Sequence, residues 1–239
     1  MPSSTVYNLL EACHKAGCPA CRLEQQSVER YLENQFYENV NQPHWRGRLR
    51  ASHGFCHEHA WLGVNKRLGD SLGYSIIYGD LVNSLLNQLQ EEKGPGRAPH
   101  RRSLLTRQIP EAVRNKIENV LSVLSPRKRC PVCEYREETR RSILSALVEE
   151  LGTPEMTNAL QASEGLCLPH WGLALEHVRD LPAYETLLTI QREKLEGLRV
   201  ELAEFIRKNE YQAVKEGFGK EGDAWLRAIG MVVGSRRGI

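Results

Sequence analysis

The chain has 239 residues, 41% of them hydrophobic, with 32 Lys/Arg against 30 Asp/Glu. That suffices for a real core, in one large or two small bodies, and a net charge of +2 gives no electrostatic reason to expect nucleic acid or an anionic membrane as partner. The opening MPSSTVYNLLEACHKAG lacks the basic start and apolar run of a secretory signal, and no stretch approaches the roughly 18 apolar residues of a membrane span, so a cytoplasmic protein is expected.

Helical periodicity dominates from the first residues, and no alternating apolar run is long enough for a sheet, which predicts an all-α fold of nine or ten helices. Val6, Leu9 and Leu10 share a helical face with Cys13, a thiol expected to be buried and structural. Helical patterns follow over Leu23 to Val40 and over Tyr74 to Leu89, where Tyr78, Leu81, Val82, Leu85, Leu86 and Leu89 recur at i, i+3, i+4, i+7 and should be buried. Residues 93–108 open with KGPGRAPHRR, a basic linker without apolar period; it could lend a positive strip to DNA binding, but no recognition module or aromatic platform accompanies it. Beyond it, Tyr135 to Leu151 reads as helix. The longest signal, Tyr184 to Asn209, sets Tyr184, Leu188, Gln191, Leu195, Leu198, Leu202 and Phe205 at alternating steps of four and three. Such a seam can dimerise, but three heptads better suit the central helix of a bundle. A closing amphipathic helix should bury Phe218, Trp225, Leu226, Ile229 and Val233.

The chemistry lies in an internal repeat. Cys18-Pro-Ala-Cys21 is followed after 34 residues by Cys56-His-Glu-His59, and Cys130-Pro-Val-Cys133 after 33 residues by Cys167-Leu-Pro-His170. The likeness extends to Ser52-His-Gly-Phe-Cys56 against Ser163-Glu-Gly-Leu-Cys167, and to Leu62 against Leu173. Seven cysteines with close pairs, in a reducing compartment, point to metal ligands or redox centres. Residues three apart at a helix start can aim both side chains at one ion, and two such pairs complete a tetrahedron suited to zinc. Converging helix N-termini would stabilise the thiolates.

The simple grouping is one Cys3His site per half, with Cys18, Cys21, Cys56 and His59 in the first and Cys130, Cys133, Cys167 and His170 in the second. The alternative grouping makes one four-cysteine and one Cys2His2 site, and the duplication favours the simple form. Residues 1–108 thus read as one metal-binding repeat ending in the linker, and 109–239 as a second carrying the long helix and the closing helix, packed as one continuous body. Cys13 gives a spacing like that of plant-type ferredoxins, but its counterpart is Ser125. His57 aligns with Leu168 and is expected to be exposed or to support a ligand. His14, His44, His53, His100 and His177 have no partner at ligand spacing. Glu58 could pass for a general base, but its counterpart is Pro169, and four protein ligands leave no open metal position.

At its CPxC and GxCxxH signatures, and again over Phe218 to Ile229, the chain resembles an uncharacterised bacterial family known only as a domain of unknown function. The likeness covers most of the chain. It implies a bacterial helical protein holding both ligand sets in one architecture, and brings no activity, substrate or partner.

Two zinc ions stabilising a scaffold that binds another protein is therefore the leading expectation, and two Cys3His iron–sulfur clusters in electron transfer or sensing is the alternative. No enzyme activity is indicated; an enzyme of this composition would be an oxidoreductase, and a thiol–disulfide function would want a βαβ context that is lacking here.

Overall fold

A computed structural model describes residues 4–90, 110–210 and 214–235; the linker at 93–108 and His100 lie outside them. Eleven α-helices and two short 3-10 turns make up the described residues, with no strand among them. The first five are α1 (Ser4–Cys13), α2 (Pro19–Glu38), α3 (Pro43–Ser52), α4 (His57–Asn65) and α5 (Ser71–Gln90). The next five, α6 (Glu111–Leu124), α7 (Pro131–Glu150), α8 (Pro154–Ala162), α9 (Leu168–Leu175) and α10 (Leu181–Lys208), repeat the same short-long-short-short-long order. A final helix, α11 (Ala224–Val233), follows the turns. Among the described residues no helix is long and apolar enough to cross a membrane.

The chain forms two compact units that do not follow the sequence halves: Met1–Val28 with Arg136–Ile239, and Glu29–Tyr135. The boundaries fall inside α2 and α7, so each long helix contributes to both.

In the first unit, α1, the start of α2, and α7 to α10 enclose a core that includes Leu9, Leu144, Leu147, Met156, Leu166 and Leu187. Cys13 lies in it at 3% exposure, and burial pushes its thiol up to about 11, as suits an inert packing residue. Of the expected seam of α10 only Gln191 is fully buried and Tyr184 is exposed; the other side chains α10 buries, Leu187 and Ile190, lie off it. Gln191 is buried and donates to the Leu166 carbonyl at 2.8 Å, while accepting from the Leu166 amide at 3.2 Å.

The second unit is built on aromatic contacts. Phe36 lies 4.3 Å from Tyr74 and 5.8 Å from Phe55, ring centre to ring centre, and Tyr31 stacks on Tyr135 at 4.0 Å. The buried stripe of α5 runs Gly73, Ile77, Leu81. Val82, Leu86 and Leu89, expected inside from their spacing, are exposed, because the apolar band of α5 is wider than the surface its neighbours cover. A similar correction applies to α11. Phe218, Trp225, Leu226, Ile229 and Val233 lie outside, and Ala224 and Met231 are the residues α11 buries.

The glycines of the two GxCxxH signatures have a conformational cause. Gly54 and Gly165 adopt φ of +86° and +78°, the left-handed region closed to most side chains, and turn the chain from α3 into α4 and from α8 into α9. Each turn is tied by the serine two residues earlier. Ser52 Oγ donates to the Gly54 carbonyl at 2.8 Å, and the Gly165 amide donates to Ser163 Oγ at 3.0 Å. Alanine at Gly54 would also bring its Cβ within 3.0 Å of Leu81 Cδ1, and at Gly165 within 2.9 Å of Lys194 Cγ. Either substitution is expected to cost about 1–3 kcal/mol, read as a lower denaturant midpoint with an unchanged slope.

Candidate metal centres

Each ligand pair occupies the same place on a helix. Cys18, Cys56, Cys130 and Cys167 immediately precede α2, α4, α7 and α9, and each carbonyl accepts the amide four residues on, at 2.8–3.2 Å. The second ligand, Cys21, His59, Cys133 or His170, lies three residues later in the first turn. These are the N-cap and N3 positions, whose side chains both project at the open end of the helix, which is why a spacing of three suits chelation. Pro19 and Pro131 sit at the first helical position, where proline's fixed φ starts a helix and its missing N–H costs nothing.

Two groups of four result. Cys18, Cys21, Cys167 and His170 gather at the N-termini of α2 and α9, and Cys56, His59, Cys130 and Cys133 at those of α4 and α7. Each group lies within one compact unit. This corrects the one-site-per-half grouping, and it is not the four-cysteine alternative either: each Cys-x2-Cys is completed by the Cys-x2-His of the other half. α2 is twice as long as α3, 20 residues against 10, so α3 does not by itself return the chain to the start of α2, where Cys21 lies.

The two centres are geometric copies. In the first, His170 Nδ1 lies 3.6, 3.3 and 3.2 Å from the sulfurs of Cys18, Cys21 and Cys167, and the Cys21 and Cys167 sulfurs are 3.6 Å apart. In the second, His59 Nδ1 lies 3.7, 3.4 and 3.2 Å from Cys130, Cys133 and Cys56, and the Cys56 and Cys133 sulfurs are 3.6 Å apart. All four donor atoms of each group lie within 4.8 Å of one another. The helix N-termini direct their positive dipole ends at these sulfurs.

The crowded side chains of the first centre shift one another's protonation. Hydrogen bonds with Cys167 and Cys21, together with burial, hold the Cys18 thiol well above its usual range, while hydrogen bonds from Cys167 and Cys18 pull Cys21 far below. Burial opposes a charge on His170, but its contacts with Cys167, Cys21 and Glu24 outweigh that and raise it to about 11. In the second centre burial raises Cys130. Three thiolates with one imidazole are a donor set that fits zinc.

Sequence reasoning missed Glu24. Its carboxylate is buried and lies 3.1 Å from His170 Nε2, fixing which ring nitrogen faces the sulfurs, and Arg136 and Arg140 stand 3.8 and 4.0 Å from it. The signal was an acid three residues after Cys21 on α2, but its counterpart at the repeat offset is Arg136, so comparing the halves hid it. Carboxylates in this position orient a metal-bound histidine and raise its basicity. Glu24→Gln is expected to weaken metal retention at the first centre about 10–100-fold and leave the second unchanged, measured by competition with a chromogenic chelator.

The other candidates fall outside the groups. His57 is exposed, with its ring 6.4 Å from that of Trp61, and Glu58 is exposed beside it. His14, His44, His53 and His177 belong to neither centre.

The sequence model of a family of unknown function, DUF6062, matches residues 6–238. An "Uncharacterized 23.9 kDa protein in xynA 3'region" of Caldicellulosiruptor sp. (strain Rt8B.4) is 23% identical over 230 residues, covering 95% of this chain and all of that protein. No solved structure matches the chain.

Proposed function

The chain belongs to the DUF6062 family, whose function is unknown, and from the geometry of its centres we propose that each holds one zinc ion and that the protein is a zinc-stabilised helical scaffold binding another protein. The observation that carries this reading is the spacing of the donors. Atoms held about 2.0–2.3 Å from a single ion at tetrahedral angles stand about 3.5–3.8 Å apart; four of the six donor separations in each centre run from 3.2 to 3.7 Å, and all lie within 4.8 Å. An iron–sulfur cluster must fit its own iron and sulfide atoms between its ligands, whereas these lie within 4.8 Å of one another. Four protein donors fill the tetrahedron, which leaves the ion a structural part.

The matching order of α1–α5 and α6–α10, with near-equal lengths for α2/α7, α3/α8 and α4/α9, supports a tandem duplication in which the halves exchange ligand pairs. Apolar side chains on the outside of the second unit, Val82 and Leu86 on α5 and Val120, Leu121 and Leu124 on α6, support a protein partner.

Elemental analysis and a visible spectrum on protein purified without oxygen test the reading. Two zinc ions per chain and no colour are expected; iron with acid-labile sulfide and a brown absorbance would replace it with redox chemistry.

A further inference from the structure

Helix α11 turns an apolar face outward. At about 100° per residue, Val232, Trp225, Ile229, Val233 and Leu226 fall in that order around one arc of the helix, and all five are exposed, from 47% for Trp225 to 67% for Val233. The other side of α11 holds it to its own unit. Ala224 and Met231 are buried there, Gln191 Nε2 donates to Met231 Sδ at 3.2 Å, and Arg227 pairs with Glu201 on α10.

A groove of about 620 Å³ runs along one flank of the outward face, lined by Leu226, Ile229, Gly230 and Val233 and, just before α2, by Gly17 and Cys18. A Cβ at Gly230 would meet nothing within 4 Å, so packing within the chain does not account for a glycine inside a helix, where it is unfavourable. Close approach from outside does.

Area and symmetry say what covers the face. Each partner of a stable interface buries about 800 Å², roughly 500 Å² of it apolar. At roughly 100 Å² each, about half of what a large side chain can bury, the five exposed side chains supply as much. Ile229 is central both along α11 and around the arc, so a two-fold axis through it sets Trp225 of each copy opposite Val233 of the other, beside the groove. A surface that carries both a half-exposed indole and an open apolar groove is complementary to itself under such an axis.

We propose that the α11 face is a homodimer interface, in which two copies of the chain pack antiparallel across Ile229 and each Trp225 fills the other copy's groove. The pairing goes beyond the scaffold reading and does not depend on which metal the centres hold.

Sedimentation velocity on the full chain tests it. A species of twice 27.2 kDa is expected. Ile229→Glu sets two like charges at the axis and should weaken association at least about 100-fold, and Trp225→Ala should weaken it about 10–100-fold. Val82→Glu, on the exposed side of α5, should leave it unchanged. None of these side chains is buried within the chain, and unaltered helical circular dichroism checks that each variant folds. Ile229→Cys should form a disulfide with its own copy under mild oxidation, identified as a linked peptide by mass spectrometry, and Val200→Cys should not. A chain that stays monomeric at about 100 μM, association that Ile229→Glu and Trp225→Ala leave intact, or a cross-link at position 200 in place of 229 overturns the dimer and leaves the metal reading standing.

Discussion

A chain with Cys18, Cys21, Cys167 and His170 all changed to alanine is expected to retain one tightly bound metal ion, whereas one with Cys18, Cys21, Cys56 and His59 changed should retain none. The first set empties a single centre and leaves the other its four donors; the second strips each centre to two. Two-donor remnants do not hold zinc against a competing chelator, because a structural site derives its affinity from a complete tetrahedron. Native mass spectrometry counts the ions directly. If the second variant kept one ion and the first none, the ligand pairs would be grouped by sequence half.

Chelation of both ions is expected to abolish cooperative thermal unfolding and much of the helical circular dichroism. Structural zinc is worth about 10–16 kcal/mol in small zinc-dependent peptides at neutral pH, against a total stability of about 5–15 kcal/mol for an ordinary domain. An ion in either centre would join the first turns of two helices, and the candidate ligands include Cys18, His59, Cys167 and His170, all at 6% exposure or less. Without a cation, three sulfurs and an imidazole in each centre would stay crowded together with no ion joining the two helices. Acid should act in the same direction, since protons compete with the metal for thiolates and imidazole and affinity falls as pH falls. A metal-free chain that keeps a sharp transition at the same temperature would show that packing alone holds the fold.

The ligand pairs were legible because their spacing of three is set locally, by the first turn of a helix, and does not depend on the rest of the chain. Gly54 and Gly165 stood out as matching positions of the repeat, but their left-handed turns were not read from it, and His53 and Arg67 take up the same backbone region without glycine. Grouping was not legible. Which Cys-x2-His completes a given Cys-x2-Cys depends on which helix N-termini meet in the fold, and the repeat suggested closure within each half where the pairs meet across the halves. Periodicity located α5, α10 and α11 to within a few residues, but did not tell which apolar face is covered: Leu81 is buried while Val82, one position on, is 53% exposed. Glu24 escaped because its partner, His170, is 146 residues away and because the two halves differ at that position.

Zinc K-edge absorption on the purified chain, calibrated by its metal content, is the most direct test of two mononuclear Cys3His centres. Two zinc ions per chain, each with three sulfurs at about 2.3 Å and one nitrogen at about 2.0 Å, is the result these centres predict. Iron, or zinc whose shell contains oxygen in place of sulfur, would contradict it.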